Sequence, residues 1–150
     1  MQMETQAIIE TIQNIFIGAD RHDWDRCLSA FAPTVNLDYT SLAGGEPVNL
    51  AADALIDNWK GFLPRFKSTH HQLGNFDIRE EMDTARAFFY GTATHYSPQP
   101  NGRNIWTVFG TYDAELKKHA GEWKVTALKL NLSCVDGNVE LPALVLNSAH

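Results

Sequence analysis

A few side chains in this sequence can carry a proton near neutral pH, and their placement is the natural starting point. His95 shares one strand face with Ala87, Phe89, Gly91 and Ala93, while Arg86, Tyr90 and Thr94 alternate to the other side. The small residues on its face leave room beneath the ring. Such a histidine is either tied to one partner in the core or set in a pocket. His70 and His71 are adjacent, so a strand sends them to opposite faces; His71 goes with Thr69 and Leu73, inward, and His70 with the wetter Ser68 and Gln72. Asp20 falls at the C-terminal end of the first predicted helix, where the helix dipole disfavours a carboxylate. It is either a solvated turn residue or a carboxylate aimed into a pocket to orient a histidine and stabilise its imidazolium form. Tyr39 follows inward-facing Val35 and Leu37, and a buried phenol finds a hydrogen-bond partner. A histidine that takes a proton and returns it contributes about 10²–10⁴-fold per transfer.

Other chemistries find little support. His22, His119 and His150 fall in turns or the tail. No histidine or cysteine pair has ligand spacing on one face of one element, so no metal is expected. No glycine-rich phosphate loop follows a strand and no Gly-x-Ser-x-Gly elbow occurs, so no cofactor is expected either. Cys27 and Cys134 lie in different elements and read as free thiols. The formal net charge is −6 with no basic stripe, which makes nucleic acid and anionic membranes poor partners. Residues 1–7 lack a basic region followed by an apolar run, and no stretch approaches bilayer length, so a cytoplasmic location is expected.

The elements that must hold these side chains fit one domain of 150 residues, 44% of them hydrophobic. Ile8, Ile12, Ile15, Phe16 and Ala19 give residues 4–20 a helical stripe, and Gly18 loosens its end. Asp23 caps a short second helix carrying Trp24, Cys27, Leu28 and Phe31, stopped by Pro33. Val35, Leu37 and Tyr39 mark a half-buried strand, and residues 41–49, with Gly44, Gly45 and Pro47, read as a loop. A third helix covers about 51–63. Strands follow near 68–81, 84–97, 104–117 and 122–135, with hairpin turns at Asn101-Gly102 and Lys118–Gly121. Helices first and antiparallel strands afterwards predict an α+β domain: about three helices packed in a strongly curved, mostly antiparallel sheet, a cone with a pocket inside. The apolar segment 139–146 should cover the mouth or dock on a neighbouring subunit. Trp106, Val108, Tyr112 and Phe88 are expected to alternate outward and to form a homodimer or homotrimer interface.

From Asp20 onward the sequence resembles the scytalone dehydratase family, within the NTF2-like (cystatin-like cone) superfamily that also holds SnoaL-type cyclases and ketosteroid isomerase. The resemblance rests on Asp23-Trp24-Asp25-Arg26, Ala32-Pro33-Thr34 and Leu37-Asp38-Tyr39, on Thr69-His70-His71-Gln72-Leu73-Gly74, and on Gly121-Glu122-Trp123-Lys124 with Leu128-Lys129. It spans roughly residues 8–135. It implies a catalytic pair of Asp20 and His71, Tyr39 acting on a substrate carbonyl through water, and His95 as a second pocket histidine. A second family tyrosine, next to the aspartate, is replaced by Ala19. The implied activity is a cofactor-free dehydratase acting on a small cyclic hydroxy ketone, with Phe89, Trp59, Phe109 and Asn131 as candidate substrate contacts. Isomerisation or cyclisation of a polyketide- or steroid-like ketone uses the same proton removal. A binding module without catalysis is the non-enzymatic alternative, and it expects Asp20 and His71 to lie apart or to face solvent.

Overall fold

The computed structural model describes residues 3–148, so His150, assigned above to the tail, lies outside the described residues. Ile8, Ile12 and Ile15 are fully buried on one stripe of α1 (Thr5–Arg21), as their spacing requires. Gly18 does not loosen that helix. A Cβ there would meet the backbone nitrogen of Cys27 at 2.8 Å and the carbonyl of Asp23 at 2.9 Å, so glycine lets the next segment pack flush against α1. The helix ends one residue beyond Asp20. His22 adopts the left-handed conformation (φ 55°), and the Asp23 N–H returns to the Gly18 carbonyl at 2.8 Å. The Asp23 carboxylate then caps α2 (Trp24–Ser29) by accepting from the Arg26 backbone N–H.

Pro33 does not terminate α2; it lies within β1 (Phe31–Asp38). The strand tolerates it because the register between β1 and β6 (Glu122–Gly137) shifts between Phe31 and Asn36, where no ladder N–H is required. The segment read as a loop carries two short elements, α3 (Thr40–Ala43) and β2 (Val48–Ala51), the latter paired antiparallel with β1 from Thr34↔Ala51 to Leu37↔Val48. Four-residue elements are too short to show a period. Next come α4 (Ala52–Lys60) and a 3₁₀ turn at Leu63–Arg65, then β3 (Ser68–Glu81), β4 (Thr84–Tyr96) and β5 (Ile105–His119). The sheet order is β2-β1-β6-β5-β4-β3; β1 and β6 run parallel and every other neighbouring pair is antiparallel. The curved, unclosed sheet and its helices form an α+β, NTF2-like cone.

Cross-strand register decides which side chains face into it. His95 pairs with Trp106, Ala93 with Val108 and Phe89 with Tyr112. Directly opposed residues share a face, so with Phe89 and His95 buried, Trp106, Val108 and Tyr112 face inward too, at 8%, 5% and 4% exposure. They are not an outer interface. Of the four residues expected there, Phe88 alone is exposed. The C-terminal segment forms α5 (Leu141–Asn147), which buries Leu141 and Val145 in this chain's own core. Arg65 Nη1 holds it through the carbonyls of Val145 and Leu146, each at 3.3 Å. Among the described residues no helix is long and apolar enough to cross a membrane.

Candidate active site

Asp20 reaches across from α1 to β3 and is held there by three hydrogen bonds. Its Oδ1 accepts from the Thr69 hydroxyl at 2.8 Å and lies 2.7 Å from His71 Nδ1; its Oδ2 accepts from the His71 backbone N–H at 2.8 Å. The register explains the meeting. His71 pairs with Ala93 and Thr69 with His95, both inward positions of β4, so alternate β3 residues turn toward α1. Burial alone would raise the Asp20 pKa. The hydrogen bonds from His71 and Thr69, together with attraction to His71, outweigh it and hold the carboxyl below its ordinary value.

A carboxylate only accepts, so His71 Nδ1 carries the proton and its Nε2 lone pair is left on the cavity side. The ring packs against Phe16 at 5.3 Å and, edge-on, against His95 at 6.1 Å. His95 obeys the same logic with a different partner. Its Nδ1 is 3.0 Å from the Trp106 carbonyl, which also only accepts, so Nδ1 is the donor and Nε2 is an acceptor. Burial pushes the His95 pKa down to about 4, against the opposing effect of that carbonyl, so the ring is neutral at physiological pH. Phe66 and Trp106 flank it at 4.9 and 4.3 Å.

The two histidines open onto a largely apolar cavity of about 220 Å³ between the helices and the sheet. Ile15, Phe16 and Ala19 line it from α1, Trp59 from α4, and Val108 and Tyr112 from β5. Tyr39, the residue before α3, lines it too. Burial and the neighbouring Tyr112 raise its pKa well above the ordinary phenol value; burial raises that of Tyr112 to about 12.

Asp20, His71, Tyr39, His95 and Trp59 therefore converge as a group. The remaining candidate contacts do not. Phe89 is fully buried behind the cavity wall, stacked on Tyr112 at 5.1 Å. Phe109 pairs with Thr92 on the outer face and is 37% exposed. Asn131 follows inward-facing Leu130, so it points outward and donates to Asp113 Oδ2 at 2.8 Å. Tyr112, Trp106 and Val108, expected on the outer face, line the cavity instead. The signal for them lay in pairing β5 against the inward row of β4.

A helix-filled, half-open sheet with a histidine–carboxylate pair inside it defines an NTF2-like cone protein. The model of the SnoaL-like domain matches residues 3–129, and the chain belongs to that family. No curated protein matches the sequence. Solved structures share the fold. The Kfla4162 protein of Kribbella flavida superposes with a TM-score of 0.88 at 23% identity, covering 93% of this chain and 96% of that one. A candidate scytalone dehydratase of Novosphingobium aromaticivorans gives 0.75 at 19% identity, over 88% and 85%. The hexachlorocyclohexane dehydrochlorinase LinA-type3 of Novosphingobium barchaimii gives 0.70 at 17%, over 90% of each chain.

Proposed function

We propose that this protein is a dehydratase that removes water from a small cyclic β-hydroxy ketone using its own side chains as acid and base. The observation that carries the reading is the Asp20–His71 pair, joined at 2.7 Å with the basic face of the imidazole on an apolar cavity. His71 Nε2 takes the proton α to the ketone, and the C–H electron pair passes into an enolate. Asp20 holds the ring in the competent tautomer and stabilises the imidazolium. The phenolic end of the cavity, which contains Tyr39, polarises the carbonyl oxygen. The enolate then expels the β-hydroxyl, the imidazolium supplies the proton, and water leaves with His71 restored. The C–H and C–O bonds broken are balanced by one C=C bond and one water.

Two observations favour elimination of water from a small ring. Neutral His95 presents an acceptor to the cavity, which suits a hydroxyl and offers nothing to a carbon–halogen bond or a ketone oxygen. A cavity of about 220 Å³, set against the roughly 150 Å³ void that takes benzene, suits one or two fused rings rather than a steroid. The test uses the α-tetralone that carries a hydroxyl on the carbon β to its ketone, whose dehydration yields the fluorescent α-naphthol. Wild-type protein is expected to form the naphthol with loss of one water, and His71→Ala to form none above background. A product of unchanged mass would replace the dehydratase with an isomerase.

A further inference from the structure

Gly91 stands in the middle of β4, in the inward row between Phe89 and Ala93, where a glycine weakens a strand and so marks a close approach by something else. That something is Tyr112. A Cβ on Gly91 would lie 2.5 Å from Cε2 and 3.0 Å from Cδ2 of the Tyr112 ring. Gly91 does not have the positive φ that would call for glycine, so space rather than backbone conformation excludes a side chain there. The phenol ring lies in this notch, stacked on Phe89 at 5.1 Å with an interplanar angle of 11°, and Phe16 meets it edge-on at 5.3 Å. The ring is thus packed by Gly91, Phe89 and Phe16, and Tyr112 lines the cavity.

We propose that Tyr112 is the catalytic hydrogen-bond donor to the developing enolate oxygen, seated by Gly91 and backed by Tyr39. The inference rests on the dehydratase reading above. The rings of Tyr39 and Tyr112 meet edge-on with centroids 6.4 Å apart, and both residues line the cavity. A phenol that accepts a hydrogen bond is a stronger donor, so a Tyr39 hydroxyl turned toward the Tyr112 oxygen would strengthen Tyr112 and leave its O–H for the substrate. Ala19, which lines the cavity from α1, carries no polar group, so no side chain there competes for that oxygen. Tyr39 and Gly91 are then positioning residues, acting through Tyr112.

The experiment follows α-hydrogen exchange of β-tetralone in D₂O by NMR, with β-naphthol, the aromatic counterpart of its enol, as a binding probe read by fluorescence. Removing one oxyanion donor typically lowers kcat about 10²–10³-fold, so Tyr112→Phe is expected to lower kcat on that scale while KM stays near the wild-type value. It is also expected to weaken β-naphthol binding. Tyr39→Phe is expected to lose less, and Gly91→Ala to lower kcat although every phenol is retained. In the Tyr112→Phe background, Gly91→Ala is expected to cost nothing further, because no hydroxyl remains to misplace. If Tyr112→Phe exchanges at the wild-type rate while His71→Ala is inactive, the inference falls and the dehydratase reading stands. If Gly91→Ala lowers kcat equally in both backgrounds, Gly91 does not act through Tyr112 and the seating is wrong. A wild-type protein that neither binds β-naphthol nor exchanges β-tetralone overturns both.

Discussion

Replacing Asp20 with asparagine keeps the volume of the side chain and exposes the logic of the site. The carboxylate accepts from three donors: His71 Nδ1, the Thr69 hydroxyl and the His71 backbone N–H. An amide has only one oxygen to offer. If that oxygen stays with His71 Nδ1 and Thr69, the new NH₂ confronts the backbone N–H, and an unsatisfied donor in a largely buried site costs about 1–3 kcal/mol. If the amide flips, its oxygen satisfies the backbone and its NH₂ donates to Nδ1, which moves the His71 proton to Nε2 and removes the basic lone pair from the cavity. The first arrangement destabilises the fold and strips the imidazolium of its counter-charge; the second abolishes the base. Loss of the correct tautomer in a histidine–carboxylate pair costs about 10⁴ in kcat, and loss of a general base about 10²–10⁴. Asp20→Asn is therefore expected to lose between two and four orders of magnitude in naphthol formation. Binding of β-naphthol, which needs no proton transfer, is retained. An Asp20→Asn protein that turns over at the wild-type rate, with circular dichroism and melting behaviour intact, refutes this reasoning.

His95 makes a prediction about pH. A buried histidine whose pKa falls from 6.5 to about 4 binds its proton more weakly when folded than when unfolded. Its contribution to stability is complete above pH 6.5 and is lost as pH falls toward 4, by about 3 kcal/mol in all. Urea denaturation across that range is expected to show the loss. His95→Asn, which keeps a donor for the Trp106 carbonyl, is expected to lose that much less stability over the same interval. Gly18→Ala, ordinarily helix-stabilising, is expected to lower stability by about 1–3 kcal/mol, because the obstructing atoms are backbone of Cys27 and Asp23; a thermal melt at or above the wild-type temperature contradicts the close packing of α1 on α2. Trp59→Ala is expected to weaken β-naphthol binding and Phe109→Ala to leave it unchanged, since only the former lines the cavity. The reverse pattern would move the site to the outer face of the sheet.

The long elements were legible because their periods are long. Seventeen residues of α1 and at least thirteen in each of β3 to β6 give enough turns or alternations to fix the type of element. That is why Asp20, His71 and His95 could be placed before their contacts were known. The short elements carried no such signal, and α3 and β2 went unread. The error at Trp106, Val108 and Tyr112 has a different cause. A single strand reveals that its residues alternate but not which set is inside, and in β5 both sets contain aromatic and β-branched residues. Only the pairing of His95 with Trp106 resolves it. Gly18 and Gly91 are each explained by an atom from another part of the fold, which the local sequence does not contain.

The central claim is that His71 holds its proton on Nδ1, against Asp20, and leaves Nε2 free as the base. Nitrogen-15 NMR of histidine-labelled protein reads this directly, from the chemical shifts and two-bond couplings of the two ring nitrogens at neutral pH. The Nδ1–H form is expected in the wild type, with the pattern disturbed in Asp20→Asn. A His71 ring protonated on Nε2 alone in the wild type would leave no base facing the cavity and would contradict the account.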